Sequence, residues 1–420
     1  MVYVISKEGK PLMPCTHVIA RLLLKQHKAK VKRKAPFTIQ LNYETTNYTQ
    51  PLTLGMDTGS GEIAVSVSDD KGNILYLSEV TVRNDITKKI TERAKYRRSR
   101  RNRKTRYRKA RWLNRKNSIK KDRFSPTMIS KLNSHIKEIE FVKSIMPIST
   151  IVLETSTFDT HLMKNPSLAN SKIRHYGYQK GPNYGFENTK AMVLNRDRYT
   201  CQHCKGKSKC SQLEVHHIVY RSNGGSDDAD NLITLCHTCH KKVHAKKIVL
   251  KVSGKKKGTL LYATQMNSIR KQLLKHYPEA IETFGYVTKV NRLRLKEPKE
   301  HYIDACVIAT QGCPFQIKSD LYVKRSIPKG DFQQTKGIRS EKRLNTKKIL
   351  GFKKFDKVKY LGKEYFIKGR MSTGYAVLMD IEGNKIDFSK EPNGFKTPKL
   401  KNCKRLTART SLLIQRKAVY

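Results

Sequence analysis

Between Tyr199 and His244 the chain carries Cys201-x-x-Cys204, the pair His216-His217, Asn231, Cys236-x-x-Cys239 and His240-x-x-x-His244. Two C-x-x-C pairs have the spacing of a tetrahedral Cys₄ zinc site, because each pair closes a tight knuckle and supplies two thiolates. Cys201, Cys204, Cys236 and Cys239 are therefore the expected ligands of a structural zinc. The histidines and the asparagine fall outside that set, so a second metal that does chemistry can be argued. A purely structural zinc ribbon with incidental histidines is the plainer alternative. The added order of His-His, Asn and His-x-x-x-His weighs against it. Neutral imidazole suits base work near pH 7, since its unperturbed pKa lies close to that pH.

A second set of candidate residues is spread over three distant segments, each offering an acid at the end of an apolar strand or on a helix. Leu52 to Met56 leads into Asp57-Thr-Gly-Ser60, followed by apolar runs at Glu62 to Ser68 and Ile74 to Val82. This pattern predicts a three-stranded antiparallel meander with Asp57 near the end of its first strand. Thr150-Ile-Val-Leu-Glu154 predicts a buried strand. Before it, Ser125 and Pro126 open an amphipathic helix with Ile129, Leu132, Ile136, Ile139 and Val142 on its apolar face. His301-Tyr-Ile-Asp304 opens a third segment, a helix that places His301 and Asp304 on one face. Meander, helix, strand and acid-bearing helix is the order of an RNase H-like sheet. Three acids and a histidine converging there suit two Mg²⁺ ions about 4 Å apart. Magnesium prefers carboxylate and water ligands, unlike the soft thiolate site.

The elements that would position these groups sit in a very basic chain. Its 420 residues hold 87 Lys and Arg against 34 Asp and Glu, a net +53, with 37% hydrophobic residues for real cores. Such charge destabilises a compact monomer by self-repulsion unless a polyanion neutralises it, which points to nucleic acid. There is no apolar run long enough to span a bilayer, no lipidation signal, and the first residues alternate as a strand instead of forming a signal peptide. The densest block runs from Asp85 to Lys116 and includes Arg93, Arg97, Arg98, Arg100, Arg101, Arg103, Arg106, Arg108 and Arg111, with Tyr96, Tyr107 and Trp112 interleaved. Lacking Pro and Gly, it is allowed as a helix, but like charges repel, so it should become a continuous rod when phosphates surround it. Cys15, Cys210, Cys306, Cys313 and Cys403 are scattered, as in a reducing cytoplasm.

The cysteine-histidine cassette resembles the HNH nucleases, which use a ββα-metal fold. That resemblance implies that His216 and His240, with His244 possible, bind a divalent ion, that His217 is the general base, and that Asn231 orients its ring. The whole arrangement resembles the IscB family, transposon-associated RNA-guided nucleases. Lys10-Pro-Leu-Met-Pro14 matches their short N-terminal domain, and Asp57, Glu154, His301 and Asp304 match a split RuvC site. The implied fold class is mixed α/β: an RNase H-like (RuvC) core split in three, an inserted HNH module, an Arg-rich bridge helix and a small β-rich C-terminal domain.

The corresponding segments are 1–50 (N-terminal domain), 51–84, 121–160 and 251–312 (RuvC parts), 85–120 (bridge helix), 161–190 (a flexible or RNA-contacting linker), 191–250 (HNH) and 313–420 (C-terminal domain). In the last, Phe355 to Tyr360, Glu364 to Lys368, Tyr375 to Ile381 and Lys385 to Phe388 read as short strands, with basic patches at Arg339 to Lys348 and Lys399 to Arg409. The resemblance further implies two Mg²⁺ in RuvC and one in HNH, a structural Zn²⁺, a long structured guide RNA (omega RNA), double-stranded DNA with a short flanking motif, and a monomeric protein in a cytoplasmic, nucleoid-associated ribonucleoprotein. HNH would cut the guide-paired strand and RuvC the displaced one. An unguided endonuclease of homing or junction-resolving type, or a non-catalytic RNA-binding protein, are the competing readings.

Overall fold

The computed structural model describes residues 1–102, 124–181, 183–250, 252–254, 260–328, 348–392 and 394–419. It divides into two compact units, Met1–Ser156 with Ser268–Tyr420, and Thr157–Asn267.

The larger unit begins with a small sheet of β1 (Val2–Ile5), β2 (Pro11–Cys15), β3 (Ala29–Lys34) and β4 (Phe37–Leu41), in the order β2-β1-β4-β3, with α1 (His17–Lys25) after β2. Val2, Val4, Ile39 and Leu41 form its core with Ala20 of the helix. Next come β5 (Thr53–Asp57), β6 (Glu62–Ser68) and β7 (Asn73–Thr81), paired antiparallel, as the alternating pattern predicts. Helix α2 (Ile86–Asn102) and helix α3 (Pro126–Lys143) lead to β8 (Thr150–Glu154), which lies parallel to β5.

The smaller unit contains α4 (Thr160–Lys164), α5 (Ser171–Gln179), α6 (Thr189–Arg196), the hairpin of β9 (Leu213–His217) and β10 (Leu232–Cys236), and α7 (His237–His244). The segment 161–190, expected as a flexible linker, is thus largely helical. Asp159, Asn170 and Asn188 cap those helices by accepting from backbone N–H groups of their first turns.

Helix α8 (Leu261–His276) returns the chain to the larger unit, where β11 (Ile281–Thr283), α9 (Gly285–Arg294), α10 (His301–Ala309), β12 (Gln316–Ile317) and β13 (Leu321–Ser326) follow. The C-terminal part adds β14 (Lys357–Tyr360), β15 (Lys363–Arg370), β16 (Ala376–Met379), β17 (Lys404–Thr407) and β18 (Leu412–Lys417). The large sheet has the order β11-β8-β5-β6-β7-β13-β18, with β12 beside β7. A second sheet has the order β16-β15-β14-β17. Two expectations change here. Segment 313–420 is no separate domain, because β13 and β18 extend the large sheet. The fourth strand of the second sheet is Lys404–Thr407, and Lys385 makes only an isolated bridge to Met379.

Helix α10 packs on the meander through a close approach. A Cβ on Gly55 would lie 2.3 Å from the Ala309 nitrogen and 2.8 Å from the Ala305 carbonyl oxygen, so a residue without a side chain is required. Ser66 and Ser68 donate to the carbonyls of Ala305 and Ala309, pinning the helix from β6. Helix α3 starts as its capping pair predicts, with Ser125 accepting from Met128 N–H and Pro126 in the first turn. Its buried face differs from the expected one. Lys131, His135, Glu138, Ile139 and Val142 are buried, while Ile129 is exposed. The polar groups are tolerated because each finds partners. Lys131 donates to Ser60, the His135 ring bonds the Lys131 carbonyl, and Glu138 takes Lys324, Tyr76 and Ser78.

Candidate metal centres

In the smaller unit, antiparallel β9 and β10 pair Leu232 with His217 and Cys236 with Leu213, and α7 follows β10 directly. The sulfurs of Cys201, Cys204, Cys236 and Cys239 all lie within 4.8 Å of one another. Soft thiolates at that mutual distance fit zinc. Ser208 supports them, its hydroxyl 3.2 Å from Cys204 Sγ and 3.0 Å from Cys236 Sγ.

A few residues away, ring nitrogens of His216, His240 and His244 also lie within 4.8 Å of one another. His216 comes from β9, and the other two from successive turns of α7, four residues apart on one face. Nε2 of His240 is 3.1 Å from Nε2 of His244. Burial, and then His240 and His244, push the His216 imidazole down to about 4, so it is neutral and able to ligate near pH 7. Glu214, which the sequence reading missed, stands two residues before His216 on the same face of β9 and contacts Nδ1 of both His237 (2.8 Å) and His240. A carboxylate on the far ring nitrogen fixes tautomer and orientation, leaving Nε2 of His240 for a metal.

His217 faces away from this cluster. Its Nε2 lies 2.9 Å from Asp227 Oδ1, which also takes Arg221 at 2.7 Å. Asn231 does not orient His217, contrary to expectation. It is fully buried, accepting from Val219 N–H and donating to the carbonyls of Val219 and Ser226. A short amide side chain that matches three backbone groups locks the loop that presents Asp227, so its influence on His217 is indirect.

In the larger unit, Asp57 ends β5, Glu154 ends the neighbouring parallel β8, and His301 and Asp304 lie in the first turn of α10. All four line one open cleft of about 360 Å³, together with Thr288, Lys289, Arg292 and Lys299. The carboxylates surround the cleft without closing to the mutual distance of the other two clusters. Each is turned toward a cation of the chain. His301 Nδ1 is 2.9 Å from Asp57 Oδ2, Arg270 Nη2 is 3.6 Å from Glu154 Oε1, and Arg292 Nε is 2.8 Å from Asp304 Oδ1. The last contact is an ion pair by distance only, since both atoms are buried and neither has a hydrogen-bond partner. Thr288 donates to Glu154 Oε2, while Arg270 is anchored by Thr58 and the Ser156 carbonyl.

Burial, then Asp57, raises the Glu154 carboxyl to about 7, and the same two causes raise Asp304. The hydrogen bond to Asp57 raises His301 to about 9 against the opposing effect of burial. Two carboxyls raised by burial and by the Asp57 charge, gathered on one cleft, fit divalent cations of the magnesium type. Arg270 and Arg292 carried no sequence signal, for their partners are more than one element away.

Of the predicted cationic residues, Arg93, Arg97 and Arg98 are exposed on α2. Arg100 and Arg101 belong to the same helix. Arg103, Arg106, Arg108 and Arg111 lie outside the described residues, as does most of the Arg339–Lys348 patch.

Comparison with known proteins adds the family. The RRXRR protein family matches residues 2–181, a span in which residues 97–101 read Arg-Arg-Ser-Arg-Arg. The HNH endonuclease family matches residues 201–246. Anaredoxin of Nostoc sp. is 38% identical over 66 residues, 16% of this chain and 83% of that protein. The chain therefore carries an HNH endonuclease domain. The type IV methyl-directed restriction enzyme EcoKMcrA of Escherichia coli K12 is 37% identical over 65 residues, 14% of this chain and 23% of the enzyme. The chain thus spans under a quarter of that restriction enzyme. Two Streptococcus thermophilus Cas9 structures, in complex with the AGAA and GGAA PAM, are 13% and 12% identical with TM-scores of 0.31 and 0.33. The first match covers 46% of this chain and 26% of that one, the second 61% and 32%. Among the described residues no helix is long and apolar enough to cross a membrane.

Proposed function

We propose that this chain is an RNA-guided DNA endonuclease of the IscB kind, with two separate metal-dependent cutting centres. One observation carries the reading. Asp57, Glu154, His301 and Asp304, drawn from three segments that flank the HNH cassette in sequence, line one cleft. Two candidate ion sites in one chain of net charge +53 would suit a protein that handles both strands of a polyanion. The exposed arginines of α2 and the Arg-Arg-Ser-Arg-Arg run support a guide RNA as the neutralising partner. The protein would then act on double-stranded DNA with a short flanking motif, as a single chain in a nucleoid-associated ribonucleoprotein.

At the HNH centre, His216, His240 and His244 would hold a divalent ion, and Glu214 would orient His240. Such an ion, when bound, stabilises charge on the scissile phosphate and its leaving oxygen. His217 would act as general base. Asp227 holds its Nε2 proton, which leaves Nδ1 as the lone pair that accepts from water. In the cleft, Asp57, Glu154 and Asp304 would hold Mg²⁺ ions, His301 would move a proton beside Asp57, and Lys289 and Lys299 would draw the DNA backbone in. HNH would cut the guide-paired strand and the RNase H-like (RuvC) cleft the displaced one.

An unguided endonuclease of the same chemistry would purify active without nucleic acid. Sequencing of RNA copurifying with the protein separates the two. A single structured RNA species is expected, and an RNA-free preparation that cuts DNA would contradict guidance.

A further inference from the structure

A second cleft, of about 310 Å³, lies within the larger unit between the β3–β4 hairpin, α3 and the β17–β18 segment. Its lining is of two kinds, cationic at Arg33, Lys34 and Arg409 and aromatic at Phe141, Phe355 and Phe366. A bulge interrupts the pairing of β3 with β4 between Val31 and Arg33. Bulges re-aim side chains, and here Val31 is exposed whereas Arg33 is half-buried in the cleft. The Arg33 guanidinium stands 4.6 Å from the Phe141 ring centre, and its Nη1 is buried without a hydrogen-bond partner.

The neighbouring carboxylates are committed elsewhere. Glu138 is taken by Lys324, Tyr76 and Ser78, Glu364 by Lys357, and Asp356 by the backbone N–H groups of Lys353 and Arg409. A buried cationic donor left unpaired is costly, so an anion is the missing partner. Across the cleft Phe355 is held at φ 73°, a left-handed conformation that a bulky residue rarely adopts, with the Arg409 guanidinium 5.3 Å from its ring centre. Anion-seeking arginine beside aromatic rings is the chemistry that binds phosphate and an unstacked base together.

We propose that this cleft binds one unstacked nucleotide of the RNA partner, its phosphate at Arg33 and Lys34 and its base against the phenylalanine rings. The proposal rests on the RNA-binding reading above and adds a place on the protein where a nucleotide leaves the RNA stack. The test uses the full-length protein bound to the RNA that copurifies with it. Ultraviolet cross-linking followed by peptide mapping is expected to mark Phe355, a partly exposed ring of the cleft, with RNA.

Arg33→Gln, and Lys34→Gln at an exposed site that folding does not need, are each expected to lower the yield of that cross-link several-fold. Each should also reduce the slope of log affinity against log salt by about 0.7, the loss of one single-strand phosphate contact. RNA bound with unchanged slopes in both variants would overturn the cleft assignment while leaving RNA binding intact. Cross-links at Phe355 to target DNA alone would overturn it too. Wild-type protein that binds no RNA would remove both the assignment and the reading beneath it.

Discussion

Nδ1 of His301 lies 2.9 Å from Oδ2 of Asp57, although 244 residues separate the two in the chain. The contact joins the end of β5 to the first turn of α10, across an insertion that includes the whole smaller unit. Glu154 and Asp304 have parallel contacts with Arg270 and Arg292, so all three acids of the cleft are matched by the chain's own cations. Divalent ions entering this cleft would therefore compete with built-in positive charge.

Gly55 lets that contact form, since a Cβ there would run into the α10 backbone. Gly55→Ala should destabilise the larger unit by about 1–3 kcal/mol, the usual cost of overpacking. Because α10 carries His301 and Asp304, the cut proposed for this cleft should also fall. Thermal melting and strand-resolved cleavage check both, and a variant with wild-type melting and cutting would contradict the packing.

Glu214 touches His240 on the nitrogen opposite the one that faces His244. Glu214→Gln should weaken divalent-ion binding at the histidine cluster by roughly 10–100-fold, as loss of such an orienting carboxylate commonly does. Calorimetric titration with Mn²⁺, on protein whose zinc is retained, reads this directly. Unchanged affinity would mean that Glu214 only braces His237.

His135 is fully buried, and burial holds its imidazole down at about 4. Its folded pKa is depressed below the unfolded value of about 6.5. Between those values the unfolded chain takes up a proton that the folded one refuses. The stability is therefore complete above about pH 6.5 and is lost as pH falls toward 4, by about 3 kcal/mol. His135→Gln should flatten that part of the stability–pH curve in urea titrations. An equally steep curve would place the acid sensitivity in other groups.

The cassette of cysteines and histidines was legible because its ligands recur at spacings of three and four within short turns and one helix, where local geometry sets who meets whom. The meander, β8 and α10 were legible from alternating or continuous apolar runs that end in an acid. The partners of the cleft acids were not, since Arg270 and Arg292 look like ordinary solvent-facing helix residues until tertiary packing buries them. Lys131, His135 and Glu138 misled in the same way: a polar stripe on α3 reads as its wet face, yet each member is paired and buried. Asn231 was assigned to the wrong neighbour because sequence order carries no information on whether a side chain meets a ring or a loop backbone.

The central claim, two independent cutting centres in one cationic chain, is tested most directly by strand-resolved cleavage of a double-stranded target. The RNA-loaded wild-type protein is compared with Asp57→Ala and His217→Ala. Each variant should cut one strand at the wild-type rate and lose about 10²-fold or more on the other, with the lost strand differing between them. If either single substitution abolished both cuts, the account of two separate centres would be contradicted.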